Sequence, residues 1–381
     1  MSLIRAFRRP SSLCLSVVAF LVIVPMLAAG CAPAPAPAPA AAPAATAAPA
    51  AAAAQPAAKE LNVLSWEGYA DPEWVQEFEK ANNVKVNVTY VGSDDELFAK
   101  LRGGNGETYD VVATSVANLQ PLRDSNIIVP LDPAKIPNYD KLLPQFKNSY
   151  SVLDGKLYSV PFTWGTINLM YNADEIKTPP SGYEDMWDPK YKGKVLLSED
   201  AGINITTAAI LLGYDGYNLT DDQMEKVKQK LIDLKHNARA FYTGFQDGNN
   251  LMISKEAIIG MEQDLSQGKQ IRDKGVNVVD LFPKGSLVWV DSWAITKGGD
   301  KKRALAEAWL NHELSLSTQK QHVTKYYRGG VNSELAGVLD PAIIKGAHMD
   351  DMDMFNRLTP MANPESWEKR LKLWNEVKAA P

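Results

Sequence analysis

The chain has 381 residues, 22% of them charged, a net charge of −5 and two cysteines. That length is enough for more than one lobe of core. The acidic balance argues against nucleic acid as a partner, and Cys14 and Cys31 alone cannot build a disulfide framework.

The first residues read as an export signal. Arg5, Arg8 and Arg9 form a basic head, an apolar run follows from about Leu13 to Leu27, and Leu27–Cys31 reads LAAGC. These residues resemble a bacterial lipobox, with Ala28 where that pattern prefers Leu. On this reading residues 1–30 are removed and Cys31 carries lipid. A plain secretory signal and a single membrane anchor are the alternatives, and the run is short of the about 20 apolar residues a spanning helix needs. Residues 32–58 are Ala and Pro except for Thr46 and Gln55. They cannot form a core, and their prolines favour extended chain, so residues 31–58 read as a tether. The three arginines of the head account for +3, which leaves the part from Lys59 onward at −8.

From Leu61 the pattern alternates. LNVLS is a short strand. Asp71 and Pro72 are a helix start, and Trp74, Val75 and Phe78 fall at helical spacing. Val84–Val91 alternates apolar and polar residues, as a strand does. Ser93 with Glu96 reads as a capping box, and Tyr109–Thr114 is a third apolar strand. Such alternation predicts an α/β chain with mostly parallel sheets, whose ligands sit beyond the strand ends. The middle repeats the pattern in Tyr158–Asn172, Val195–Leu197 and Ala257–Met261, while the part from Lys301 is mainly helical.

Enzyme signatures are scarce. G-x-S-x-G, H-E-x-x-H, the P-loop and G-x-G-x-x-G are absent from the sequence, and no two of the four histidines stand at metal-ligand spacing. The expectation is a protein that is not an enzyme and holds no metal or cofactor.

What recurs at strand ends is an aromatic beside a carboxylate. Trp66, Glu67 and Tyr69 close the first strand, and Asp200 follows Val195–Leu197. Glu262 and Asp264 follow Ala257–Met261, and Trp289 stands two residues before Asp291. Tyr326 and Tyr327 come later. An ammonium ion taken out of water needs a charge partner. An aromatic face adds about 0.5–2 kcal/mol and covers methylenes at about 0.8 kcal/mol each. The pattern points to a small cationic amine. Packing is the ordinary reading of any one pair, and an extracellular hydrolase using Glu67 and Asp291 as acid and base is a competing function.

Several segments carry a family resemblance: SWEGYADP, YDVVATS, YSVPFTWGTINLMYN, MWDPKYKGKVLLSEDA, VWVDSWAI and KYYRGGVN, in that order. Through them the chain resembles the spermidine/putrescine-binding proteins of bacterial ABC importers over nearly all of Leu61–Lys378. The resemblance implies a two-lobe periplasmic binding protein fold of type II-like form, with a ligand cleft between lobes. Lobe 1 would comprise 59–164 and 290–333, and lobe 2 would comprise 165–289 and 334–381. The chain would pass between them near Thr163–Thr166, near Trp289–Ala294 and after Tyr327. It also implies a monomer that hands its solute to an importer permease and meets the membrane only through its lipid.

Position by position, the resemblance makes Trp66 and Tyr69 an aromatic wall, Ser115 a polar contact and Asp200 an ammonium-binding carboxylate. Trp289 becomes a stacking aromatic, Asp291 the main amine-binding carboxylate and Tyr327 a further wall, with Tyr326 the alternative. Four positions depart from the pattern. Glu67 replaces a small hydroxyl residue, Ala117 an aromatic, Ile203 a second carboxylate and Gln263 a tryptophan. With Glu67 and Gln263 as candidate ligand contacts, the solute expected is polyamine-like. Another amine, or an amino-acid or opine-like solute using Gln263 and a basic residue such as Arg239 or Arg328, is the alternative.

Overall fold

The computed structural model describes residues 59–147, 150–364 and 367–381. The signal, Cys31 and the tether lie outside the described residues. The described residues form one compact unit.

Its principal strands are β1 (Lys59–Trp66), β2 (Val84–Val91), β3 (Val111–Ser115), β4 (Ser159–Asn172) and β5 (Val195–Ser198). β6 (Ala238–Tyr242), β7 (Ile259–Glu262), β8 (Val278–Leu281) and β9 (Leu287–Ile295) follow. They run side by side in the order β2-β1-β3-β9-β4-β7-β5-β6, with β8 on the last residues of β4.

β1 pairs in parallel with β2 and β3. Side chains of a strand alternate between faces, and parallel strands bury both. Leu61 and Val63 accordingly enter one apolar cluster and Leu64 another. Helix Pro72–Asn82 covers the first face with Val75 and Phe78, and helix Asp94–Gly103 covers the second with Leu97 and Leu101. Ser93 caps the latter helix, accepting from Glu96 N at 3.2 Å. Asp71 makes no such cap to its own helix. Its carboxylate takes Lys325 Nζ at 2.8 Å and the Tyr326 hydroxyl instead.

β5 pairs in parallel with β6 and β7 and belongs to a separate core, where Leu197, Ile259 and Met261 meet Ile167 and Leu169. The fold is therefore the two-lobe α/β architecture expected. β4 is buried along all 14 residues. It pairs with β9 through Ile167 and with β7 and β8 from Asn168 onward, and so carries the chain between lobes. β9 carries it back, reaching β3 through Asp291–Ile295. A bulge breaks the β4–β9 register between Asp291 and Ser292. Bulges re-aim side chains next to functional sites, and this one sits at the carboxylate of most interest.

The resemblance implies a third passage after Tyr327. After Tyr327, Gly329–Gly330 add to β4 beside Trp164 and Thr163. Met354, Phe355 and Leu358 pack into the first lobe's core with Trp164, although the expected division assigns 334–381 to lobe 2. The second-lobe cluster instead receives Leu373, Trp374 and Val377 of helix Trp367–Ala379. Apolar packing, which the local pattern of 334–358 does not reveal, brings these residues to the two clusters.

Candidate functional site

A cavity of about 700 Å³ opens where the ends of β1, β3, β5 and β7 face one another, within the range of small-molecule sites. Trp66, Glu67, Tyr69 and Ser115 line it on one side. Asp291 stands on that side too, opposite Ser115 in register, while Asp200, Gln263 and Trp289 come from the other lobe. Strand ends from both lobes thus converge as the α/β pattern predicts.

Asp291 and Tyr69 form the centre. The Tyr69 hydroxyl donates to Asp291 Oδ2 at 2.5 Å. Gly68 makes this possible by turning the chain at φ +84° just past β1, a conformation natural to glycine. Burial pushes the Asp291 carboxyl up to about 7 against the Tyr69 hydrogen bond, and the Asp94 charge adds to the rise. Burial, with the Asp291 charge, raises the Tyr69 hydroxyl well above its usual range, so it stays a donor. Behind Tyr69 the His322 ring is buried against Trp74 and Phe162, and burial lowers its pKa well below the usual value. A neutral imidazole therefore backs the site.

Trp289 stands two residues before Asp291 and so faces the same side. It lies opposite Gly165 in register, where an added Cβ would come 2.1 Å from its Cζ2. The absent side chain is what leaves the indole its place. Trp289 Nε1 also donates to the Gln263 carbonyl at 3.3 Å. Asp200 caps helix Ala201–Leu211, accepting from Ile203 N at 2.8 Å. Burial raises its pKa, and that backbone donor opposes the rise. Ser115 caps the next turn by accepting from Ala117 N at 3.3 Å. Glu67 is exposed at the cavity rim.

Tyr327 departs from its expected place. It is the left-handed cap of helix Leu316–Tyr326, at φ 55°. That turn carries its ring away from the cavity lining toward Ile343, Ile344 and Met349, where Lys269 Nζ lies 5.1 Å from the ring centre. Tyr326 does not line the cavity either, since its hydroxyl is held by Asp71. Glu262 is fully buried beneath the site and accepts from Asn168 Nδ2 at 2.8 Å and Gly268 N at 2.7 Å.

Arg328 is the residue that local reasoning could not place, and it lines the cavity. Its Nε donates to Asp264 Oδ2 at 2.6 Å. Arg239 is instead on the surface, paired with Glu256. Asp94 was not foreseen as a lining residue, although it stands just past β2, where the strand-end rule could have found it. Asn118 Nδ2 donates to Asp94 Oδ1 at 2.8 Å. Asn363 reaches the same wall from beyond residue 360, donating to the Ala117 carbonyl at 2.8 Å. No sequence signal marks Asn363. The lining thus holds the carboxylates of Glu67, Asp94, Asp200, Asp264 and Asp291 around one guanidinium, and is built to receive positive charge.

Comparison with known proteins gives the family. The profile of bacterial extracellular solute-binding proteins matches residues 73–350, and the chain belongs to that family. It is 28% identical over 263 residues to the spermidine/putrescine-binding periplasmic protein of Escherichia coli (strain K12), over 68% of this chain and 74% of that one. With the protein of the same description from Salmonella typhimurium it shares 29% over 245 residues, 64% of this chain and 69% of the other. Its fold matches the spermidine/putrescine ABC transporter substrate-binding protein PotD from Streptococcus pneumoniae with a TM-score of 0.72 and 24% identity, over 84% and 98% of the two chains. Membership makes this chain a solute-binding protein that works outside the cytoplasm, not an enzyme. No described helix is long and apolar enough to cross a membrane.

Proposed function

We propose that this protein captures a small cationic amine of the polyamine kind and delivers it to the permease of an ABC importer. The observation that carries the reading is the buried Asp291 carboxylate, bonded by Tyr69 and set between the walls of Trp66 and Trp289. Such a carboxylate supplies the counter-charge an ammonium needs on leaving water. The indoles supply cation–π attraction of about 0.5–2 kcal/mol. The relatives named for spermidine and putrescine support the same solute class.

Capture proceeds by hinged closure over β4 and β9, since one solute touching both walls holds the lobes together. The lobes divide as 59–164 with 290–358, and 165–289 with 367–381. Cys31 carries the lipid that keeps the receptor, as a monomer, at the membrane. Metabolic labelling with palmitate, lost in Cys31→Ala, tests the anchor.

Calorimetry with putrescine and spermidine tests the function. Binding at micromolar concentration is expected. Neither amine binding at millimolar concentration would sink the polyamine form of the reading, and a thermal-shift screen would then find a receptor for another amine or solute, because ligand at 100 times its Kd stabilises by about 2.7 kcal/mol.

A further inference from the structure

One cation cage at the cleft is filled by the protein itself. The Arg328 guanidinium carbon lies 5.0 Å from the centre of the Tyr69 ring and 4.9 Å from that of Tyr326. Its Nε donates to Asp264 Oδ2 at 2.6 Å. The walls are held independently of this occupant. Asp291 fixes the Tyr69 hydroxyl and Asp71 the Tyr326 hydroxyl, and Asp264 caps helix Leu265–Asp273 by accepting from Ser266 N at 2.8 Å. Two aromatic faces beside a carboxylate are the surroundings a desolvated ammonium needs. Here Arg328, itself buried and part of the cavity lining, supplies the positive charge.

This changes how many solute cations the cleft can pair. Of the carboxylates on its lining, Asp264 and Asp291 are buried. Glu67, Asp94 and Asp200 still face water, where an ion pair is worth little. Asp264 already has its cation, so Asp291 is the buried carboxylate left for the solute. A solute ammonium directed at Asp264 would meet the guanidinium instead, and like charges brought together at a binding site disfavour the complex.

We propose that Arg328 is a specificity residue: its guanidinium stands in for one ammonium of the solute, so the cleft selects a diamine over a triamine. One solute ammonium pairs with Asp291, and the other turns away from Arg328 toward the carboxylates that face the cleft. This rests on the amine reading above and narrows it.

Calorimetry on the full-length protein in detergent, with putrescine and spermidine as probes, decides it. Putrescine is expected to bind at least tenfold more tightly than spermidine. Arg328→Ala opens the cage to the cavity and leaves Asp264 without its cation, and there the preference falls below threefold or reverses. The Arg328→Ala/Asp264→Asn variant has the same space without the carboxylate, and it binds spermidine at least threefold more weakly than Arg328→Ala. Should Arg328→Ala not fold, Arg328→Gln, which removes the charge and keeps amide donors beside Asp264, is read by the same loss of preference. A smaller preference in the unaltered protein, or one for spermidine, overturns the inference and leaves the amine reading standing. So does a preference that survives at threefold or more without Arg328, because the residue would then be a clamp between lobes. A double variant that keeps the spermidine affinity of Arg328→Ala also overturns it, since the residue would then govern space and not charge. Failure of both amines to bind the unaltered protein ends the polyamine reading and this inference with it.

Discussion

Two short stretches, Ser65–Asp71 and Lys325–Gly330, have the same ingredients: aromatics, a charge and a residue in the left-handed region of the backbone. In the first, Gly68 takes that conformation at φ 84° and Tyr69 turns into the cleft. In the second, Tyr327 takes it at φ 55°, so its aromatic ring turns out and Arg328 turns in. The two are also tied together. Tyr326 and Lys325 hold Asp71, and Arg328 lies over the Tyr69 ring. Composition says that both are aromatic and charged. Which side chain meets the solute depends on which residue carries the turn.

The sharpest way to break the comparison is at the charge that Tyr69 serves. Asp291→Asn should cost about 2–5 kcal/mol of amine affinity, the usual result of removing one partner of a buried charge pair. Calorimetry at pH 8 that finds affinity kept within threefold would remove Asp291 from the site.

A second effect is the response to pH. The Asp291 carboxyl is raised from 3.8 to about 7. Between those values the folded protein holds a proton that the unfolded chain has lost, so this group's contribution to the empty protein's stability falls as pH rises. A bound ammonium favours the carboxylate. Affinity therefore weakens as pH drops below 7, by up to about tenfold per unit. Calorimetry from pH 8 to 5 should show this slope, and Asp291→Asn should flatten it.

Gly68→Ala comes next. Its Cβ would lie 2.9 Å from Tyr326 Cζ and 3.3 Å from Arg328 Nη1. At positive φ the change should destabilise by more than about 1 kcal/mol and weaken binding by displacing both stretches. Unaltered thermal unfolding would mean that the turn does not need glycine. Glu67→Thr should shift preference among amines only a few-fold, because Glu67 is exposed at the rim. A change above tenfold in a competition assay would make it a principal contact. Tyr327→Phe should leave affinity within twofold, and a larger loss would return Tyr327 to the cleft.

Much of this was legible in the sequence because it is local. Leu61, Val63 and Leu64 announce a strand buried on both faces. A strand buried in an α/β fold implies a ligand at its end, which places Trp66, Tyr69, Ser115 and Asp200 at the cavity. Trp289 and Asp291 share a face because strand side chains alternate. These readings need only backbone periodicity and burial.

Other features were decided by tertiary contact. Asp71 looks like a helix cap, yet Lys325 and Tyr326, more than 250 residues away, claim its carboxylate. Arg328 reads as an unplaced base until Asp264 and two tyrosine rings surround it. Asn363 becomes part of the wall through the Ala117 carbonyl and the Asn118 side chain, and Met354, Phe355 and Leu358 reach the cluster of Trp164 by apolar packing. The sequence by itself determined the elements, the fold class and most of the residues at the strand ends, since each follows from steric and hydrophobic rules acting over a few residues. The tertiary structure alone decided which charges face one another and which are already paired. Those interactions depend on distances between segments far apart in the chain, and no local pattern encodes them.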